Sequence, residues 1–383
     1  MPSSPTPSQV ALASAPWATL AKLLETDPSN LRLRAELFER ALAAGALDVA
    51  ASALDGALAI DPLGAELRHR KAVLSMARGD WQGAEAQLQG LINEGQHDPG
   101  LRYNLAYTHF ALGESALANA LLVELMQEQP ADLMDQVLTL RLRCLHQEHK
   151  LQEGVALYQQ FEAQHASAST AGTAALMAVD LGQPALANAW ASRALAMNPQ
   201  QHEALVAKGS VLLGERQGSQ ALPLLVRAER GHPRDGRTLS ALGLAHMLNG
   251  NFAEAQMVLH RAVQFMPGHI GTWHAIGWCA IFMRDLAAAQ LAFEEAISLD
   301  RNFAESQGGL AVTLALRGQA QSARETLRRA EGLPGRSVSA DYAAAILGGE
   351  TQDAERFEKM ARRILGAQRD AEGRSLADLI LRP

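Results

Sequence analysis

Apolar residues recur along this chain at three- and four-residue spacings rather than in alternation, the pattern of helices that each bury one face. That pattern is itself periodic. Aligned on the small residue that follows each short Gly- or Asp-containing turn, one column reads Ala50, Ala84, Ala118, Gly154, Ala187, Ala221, Ala255, Ala289 and Ala323. Six of its eight intervals are 34 residues, and the other two, 36 and 33, flank Gly154. Four residues further on stand Leu54, Leu88, Leu122, Tyr158, Ala191, Leu225, Leu259, Phe293 and Leu327, and three beyond those Ala57, Leu91, Leu125, Phe161, Ala194, Ala228, Ala262, Ala296 and Ala330. These columns predict one face of a helix in every period.

A second helical segment precedes each of these and ends at a glycine in six periods: Gly45, Gly79, Gly113, Gly182, Gly250 and Gly318. Glycine there supplies the left-handed conformation that stops a helix. Within the preceding segments a small residue recurs at Ala72, Ala106, Ala175, Gly209, Gly243, Gly277 and Ala311, so neighbouring helices are expected to approach closely. Pro62, Pro130, Pro199, Pro233 and Pro267 close several periods in register, because proline cannot continue a helix. The unit is therefore helix, tight turn, helix, short linker, repeated about nine times.

This unit resembles the tetratricopeptide repeat (TPR). Residues 238–267 carry the resemblance most fully, with Leu242-Gly243, Gly250, Phe252, Ala255, Leu259, Ala262 and Pro267, and the next period adds Trp273. The resemblance covers roughly residues 31–335. Where the family has a tyrosine late in the first helix, this chain has His109, His246, Ala280 and Leu314, and the period at 131–166 lacks the small residues and the turn glycine. The resemblance implies an all-α fold, a right-handed superhelical solenoid whose first helices line a concave groove. The expected organisation is a disordered tail at 1–15, an N-terminal array at 16–165, a C-terminal array at 166–336 and capping helices at 337–383, with a kink at 163–172.

The groove-facing positions lie off the packing stripe. In the N-terminal array they are His69, Val73 and Met76, then Tyr103, Tyr107 and Phe110. In the C-terminal array they are Leu244, Met247 and Leu248, then His274, Trp278, Ile281 and Phe282, with Leu316 in the period after. A helix that is apolar nearly all round needs cover on two sides, and the packing stripe accounts for one. The reader of a terminal carboxylate in this family places Lys and Asn in the groove. Here those positions hold Ala35, Glu39, His69, Val73, Tyr103 and Tyr107, which argues against a carboxylate clamp.

Composition changes little. Of 383 residues, 48% are hydrophobic, 20% charged and 5% aromatic, which favours helix over sheet. A net charge of −7 advertises neither nucleic acid nor anionic lipid as a partner. Cys144 and Cys279 read as buried thiols of a reducing compartment. No positive charge precedes the mildly apolar N-terminal stretch and no run suits a membrane span, so the expected location is cytoplasmic, and the alanine-rich, cysteine-poor chain fits a bacterial source.

No phosphate loop, nucleophile elbow or HExxH motif is present. His146 and His149, near Cys144, read as the polar end of a helix rather than a metal site, and His109 and His246 as packing residues with a satisfied ring nitrogen. No catalytic residue, metal or cofactor is expected. The expected function is a non-enzymatic scaffold or chaperone-like adaptor that holds a partner helix or peptide in the apolar groove, with secretion or pilus assembly among its settings. The alternative is an accessory subunit of a membrane-embedded synthase or transporter, itself without membrane insertion. Self-association through the groove, or a groove filled by the chain's own N-terminal segment, would use the same surface.

Overall fold

The computed structural model describes residues 17–165, 167–351 and 354–365, and every regular element among them is an α-helix. The expected tail at 1–15 and the last residues of the expected cap lie outside this range. The chain divides into two compact units, Met1–Ala166 and Ser167–Pro383.

Among the described residues, unit 1 begins with a single helix, α1 (Ala18–Thr26), followed by four helix pairs. These are α2 (Leu31–Ala43) with α3 (Leu47–Leu58), α4 (Ala65–Ala77) with α5 (Trp81–Asn93), α6 (Pro99–Ala111) with α7 (Ser115–Glu128), and α8 (Met134–Gln147) with α9 (Leu151–Phe161). Unit 2 holds α10 (Ala168–Asp180) with α11 (Pro184–Met197), α12 (His202–Gly214) with α13 (Gly218–Gly231), and α14 (Gly236–Leu248) with α15 (Phe252–Phe265). It continues through α16 (Ile270–Phe282) with α17 (Leu286–Leu299) and α18 (Ala304–Leu316) with α19 (Ala320–Glu331), and its last described helices are α20 (Val338–Leu347) and α21 (Ala354–Leu365). Within unit 2, each first helix packs on its own second helix and on the first helix of the next pair.

The turn inside each pair is one repeated device. The N–H one residue past the left-handed position donates to the carbonyl five residues back, as from Glu114 to His109 (2.8 Å), Asn251 to His246 (2.9 Å) and Asp285 to Ala280 (2.9 Å). This satisfies a carbonyl that the end of a helix leaves open. Six pairs place glycine at the left-handed position, with φ between 67° and 83°. The other three place His149 (φ 57°), Arg216 (φ 58°) and Arg284 (φ 65°) there. The turn is therefore kept where its glycine is lost, at a local cost of about 1 kcal/mol or more for a residue with a Cβ.

The repeat columns form the core. All the alanines of the first column are fully buried, and Leu88, Leu122, Tyr158, Leu225, Leu259 and Phe293 of the second are fully buried as well. Small residues on the first helices face this second column directly. A Cβ on Gly209 would lie 2.7 Å from Leu225, one on Gly243 2.5 Å from Leu259, and one on Gly277 2.7 Å from the Phe293 ring. Phe293 is confined from a second side, since a Cβ on Gly309 would come within 2.2 Å of its ring. In the irregular pair α8/α9 the sizes are exchanged: Leu142, fully buried, fills the small-residue column and Gly154 fills the alanine column.

Candidate partner-binding face

The face read from the sequence is built from first helices, and its residues fall into two groups. In unit 1 all six are half-buried. His69 Nε2 lies 2.9 Å from the Asn104 amide nitrogen on the next first helix. Met76 packs against the cluster of Leu88, Leu91, Leu101 and Leu105. The Tyr107 ring is 6.1 Å from that of Trp81, and burial raises the phenol of Tyr103 above its ordinary range. Val73 and Phe110 complete this half-buried stripe.

In unit 2 the residues separate further. His274 Nε2 bonds Ser306 Oγ across to α18 at 2.7 Å, and burial lowers the imidazole's pKa. Trp278 and Ile281 pack against Ala311, Val312, Leu327 and Ala340, so most of the apolar surface that the period left unassigned is spent on the next pairs. Met247 packs against Ala255, Leu259 and Ile276. Leu244, Leu248 and Phe282 stay in solvent, at 40%, 46% and 57% exposure, as does Leu316 at 40%. Phe282 is not loose: its ring stacks on Phe252 at 4.9 Å and lies 6.3 Å from Trp278.

Leu248, Phe282 and Leu316 hold the same repeat position, two residues before the left-handed turn residue, in three consecutive pairs. The same position in the first pair of unit 2 is Asp180, whose carboxylate takes a two-pronged bond from Arg237 (2.8 and 2.5 Å). The face thus runs from a charged end to an apolar strip. Met257 and Leu291 are also exposed, but on second helices.

This arrangement suits adhesion and offers little chemistry. Burial, with Glu148 nearby, pushes the Cys144 thiol up to about 12, and burial also raises Cys279, whose Sγ donates to the Phe252 carbonyl at 3.1 Å. Neither thiol is activated as a nucleophile. His109 is satisfied by Glu114, as its packing role requires, whereas the buried Nδ1 of His246 has no hydrogen-bond partner among the described residues. Glu85, His109 and Glu114 bring three metal-ligand atoms together, which His146, His149 and Cys144 do not do among the described residues. No described helix is long and apolar enough to cross a membrane.

Family models described as tetratricopeptide repeat match residues 41–99, 206–264 and 270–303. No curated protein matches the sequence. Among solved structures, a tetratricopeptide repeat protein from Parabacteroides merdae is 17% identical, covering 65% of this chain and 98% of that one at a TM-score of 0.44. PilF of Pseudomonas aeruginosa is 19% identical, covering 52% and 93% at 0.42. The Cut9–Hcn1 hetero-tetramer of the APC/C is 14% identical, covering 98% and 93% at 0.45. The three matched stretches fall on the end of α2 through α5, on α12 through α15, and on α16 with α17, in the register of the turns and packing columns, and the chain carries tetratricopeptide repeats.

Proposed function

We propose that unit 2 is the working face of a protein-binding scaffold, and that its first helices take up the apolar side of a partner's helix or an extended peptide. One observation carries this reading: Leu248, Phe282 and Leu316 repeat at one position in three consecutive pairs and all remain in solvent. Isolated exposed apolar side chains are ordinary on soluble proteins, but a strip in repeat register is a surface. Burying the surface that each still exposes, about half of the side chain, would contribute about 1 kcal/mol before the ordering costs of association. Helix-in-groove recognition uses anchors of this kind. The Asp180–Arg237 pair at one end supplies hydrogen-bonding groups that favour one direction of the bound segment. The role that fits is an adaptor or chaperone-like holder, and it requires no reaction at the face.

Photo-crosslinking tests this directly. A crosslinking side chain placed at Leu248, Phe282 or Leu316 is expected to capture the partner. The same probe at Met257 or Leu291, exposed on second helices, is expected to capture none. Equal capture from both sets would overturn the assignment of the face.

A further inference from the structure

Two carboxylates and an imidazole converge where the second helix pair of unit 1 meets the third. His109, near the end of α6, is 7% exposed. Its Nδ1 lies 2.7 Å from Glu114 Oε2 and 3.8 Å from Glu85 Oε1. Glu85 projects from α5, Glu114 from the turn into α7, and the three donor atoms all lie within 4.8 Å of one another. One imidazole N–H can satisfy only one carboxylate, here that of Glu114. Glu85 then faces the same nitrogen without a hydrogen bond, and neither carboxylate is paired with Lys or Arg among the described residues. Glu114 stands at the N-cap of α7, yet its side chain does not cap that helix and turns back to the imidazole.

The repeat provides an internal control. In the period that carries the other histidine of this column, the three equivalent positions are Leu222, His246 and Asn251. One period before the cluster they are Ala51, Ser75 and Asp80. Packing of the pairs therefore does not call for two acids around a buried imidazole, and the surplus negative charge at Glu85 and Glu114 has no structural counterpart.

We propose that Glu85, His109 and Glu114 bind a divalent transition-metal ion of the zinc type, which ties the second helix pair of unit 1 to the third. Zinc takes one imidazole nitrogen and carboxylate oxygens at about 2.0–2.2 Å, so tetrahedral donor atoms stand about 3.4 Å apart. The distances at His109 Nδ1 bracket that value. Glu85 and Glu114 are partly exposed, so their carboxylates can close on an ion without disturbing the buried ring. The ring ligates as the neutral imidazole, through Nδ1 with its one proton on Nε2, and the ion neutralises both acids; the open positions take water. Magnesium, which demands six oxygen ligands in octahedral geometry, does not fit a set containing imidazole. An array is held together by the interfaces between neighbouring pairs, so an ion at one of them stabilises the folded state by mass action.

The test uses the full chain stripped with chelator. Calorimetry with ZnCl2 is expected to show one site, Tm to rise with ZnCl2 but not with MgCl2, and Co2+ to give visible absorption bands. Glu85→Gln and Glu114→Gln keep the side-chain shape, so each should retain the fold in the metal-free state while weakening Zn2+ by at least about tenfold. No Zn2+-dependent shift in the wild-type Tm would overturn the proposal and reduce the cluster to a His–Glu hydrogen bond. Undiminished Zn2+ affinity in both variants would overturn it as well, by placing the ion on other histidines.

Discussion

The two units are built on the same packing columns, altered in α8/α9 of unit 1, and differ in one column that stays partly in solvent. Two residues before the turn, the first helices of unit 1 end in Ala43, Ala77, Ala111 and Gln147, all exposed and none a large apolar group. At the same position unit 2 runs Asp180, Gly214, Leu248, Phe282 and Leu316. The aromatic residues read as groove-facing in unit 1, Tyr103, Tyr107 and Phe110, lie elsewhere on the helix, half-buried, with the Tyr107 ring tilted against Trp81 of the preceding pair. A repeat constrains the residues that neighbouring pairs need, and it leaves the others free to be spent on recognition. The difference between the units therefore lies in what this position exposes and not in how the pairs are built.

The largest expected effect tests the shared half of this comparison. Gly277→Leu should cost about 3 kcal/mol or more of stability, at the upper end for overpacking, because Phe293 occupies the space and is confined by Gly309 on another side. Ala106→Leu, the equivalent change in unit 1, should cost a comparable amount, since Ala106 is fully buried. Thermal denaturation followed by circular dichroism measures both. A tolerant site in one unit alone would show that the packing columns are not equivalent after all.

Next comes the half that differs. Phe282→Glu removes an exposed apolar anchor and places a charge on the strip, and partner affinity should fall by about tenfold or more while Tm hardly moves. Ala111→Glu at the same repeat position in unit 1 should leave affinity unchanged. If Phe282→Glu unfolds unit 2 instead, its stack on Phe252 is part of the core and the face has been misplaced.

The core was legible in the sequence because a 34-residue period forces the same neighbours to meet in every pair. Ala289, Phe293 and Gly277 could be assigned from spacing alone, and each is buried as the period requires. Trp278 and Ile281 could not. Whether a side chain off the stripe reaches the next pair depends on the angle between pairs, which a period does not encode, and here both reach α18 and beyond. The turns at His149, Arg216 and Arg284 were hidden for a related reason: flanking packing imposes a left-handed residue even where the sequence gives no glycine to signal it. The Glu85–His109–Glu114 cluster spans two periods and becomes visible only when residues of α5 and α6 are placed side by side.

A smaller effect should appear with pH. Burial lowers the pKa of His69 in unit 1 and of His269 and His274 in unit 2 below the ordinary 6.5. The unfolded chain then binds protons that the folded chain refuses as pH falls below about 6.5, so folding is favoured above that value and loses stability below it. Asp235, held at about 2 against burial by bonds from His202 and Thr238, titrates far below this window and adds nothing to it. Tm is expected to drop between pH 7.5 and 5.5. His69→Asn and His274→Asn should each flatten part of the slope, and an unchanged slope in both would assign the effect to His269.

The smallest effect bears on a pair where the columns themselves are altered. His149 holds the left-handed turn of α8/α9 at φ 57°, in the pair where Leu142 and Gly154 exchange the usual sizes. If this turn is imposed by packing, His149→Gly relieves the strain of a Cβ at positive φ, a gain of about 1 kcal/mol, less the greater freedom that glycine gives the unfolded chain. Tm should rise by a degree or two, with helicity unchanged. A fall in Tm would mean that the imidazole makes a contribution of its own at this turn. The irregular pair would then depend on a side chain where six other pairs of the chain depend only on glycine's freedom of backbone.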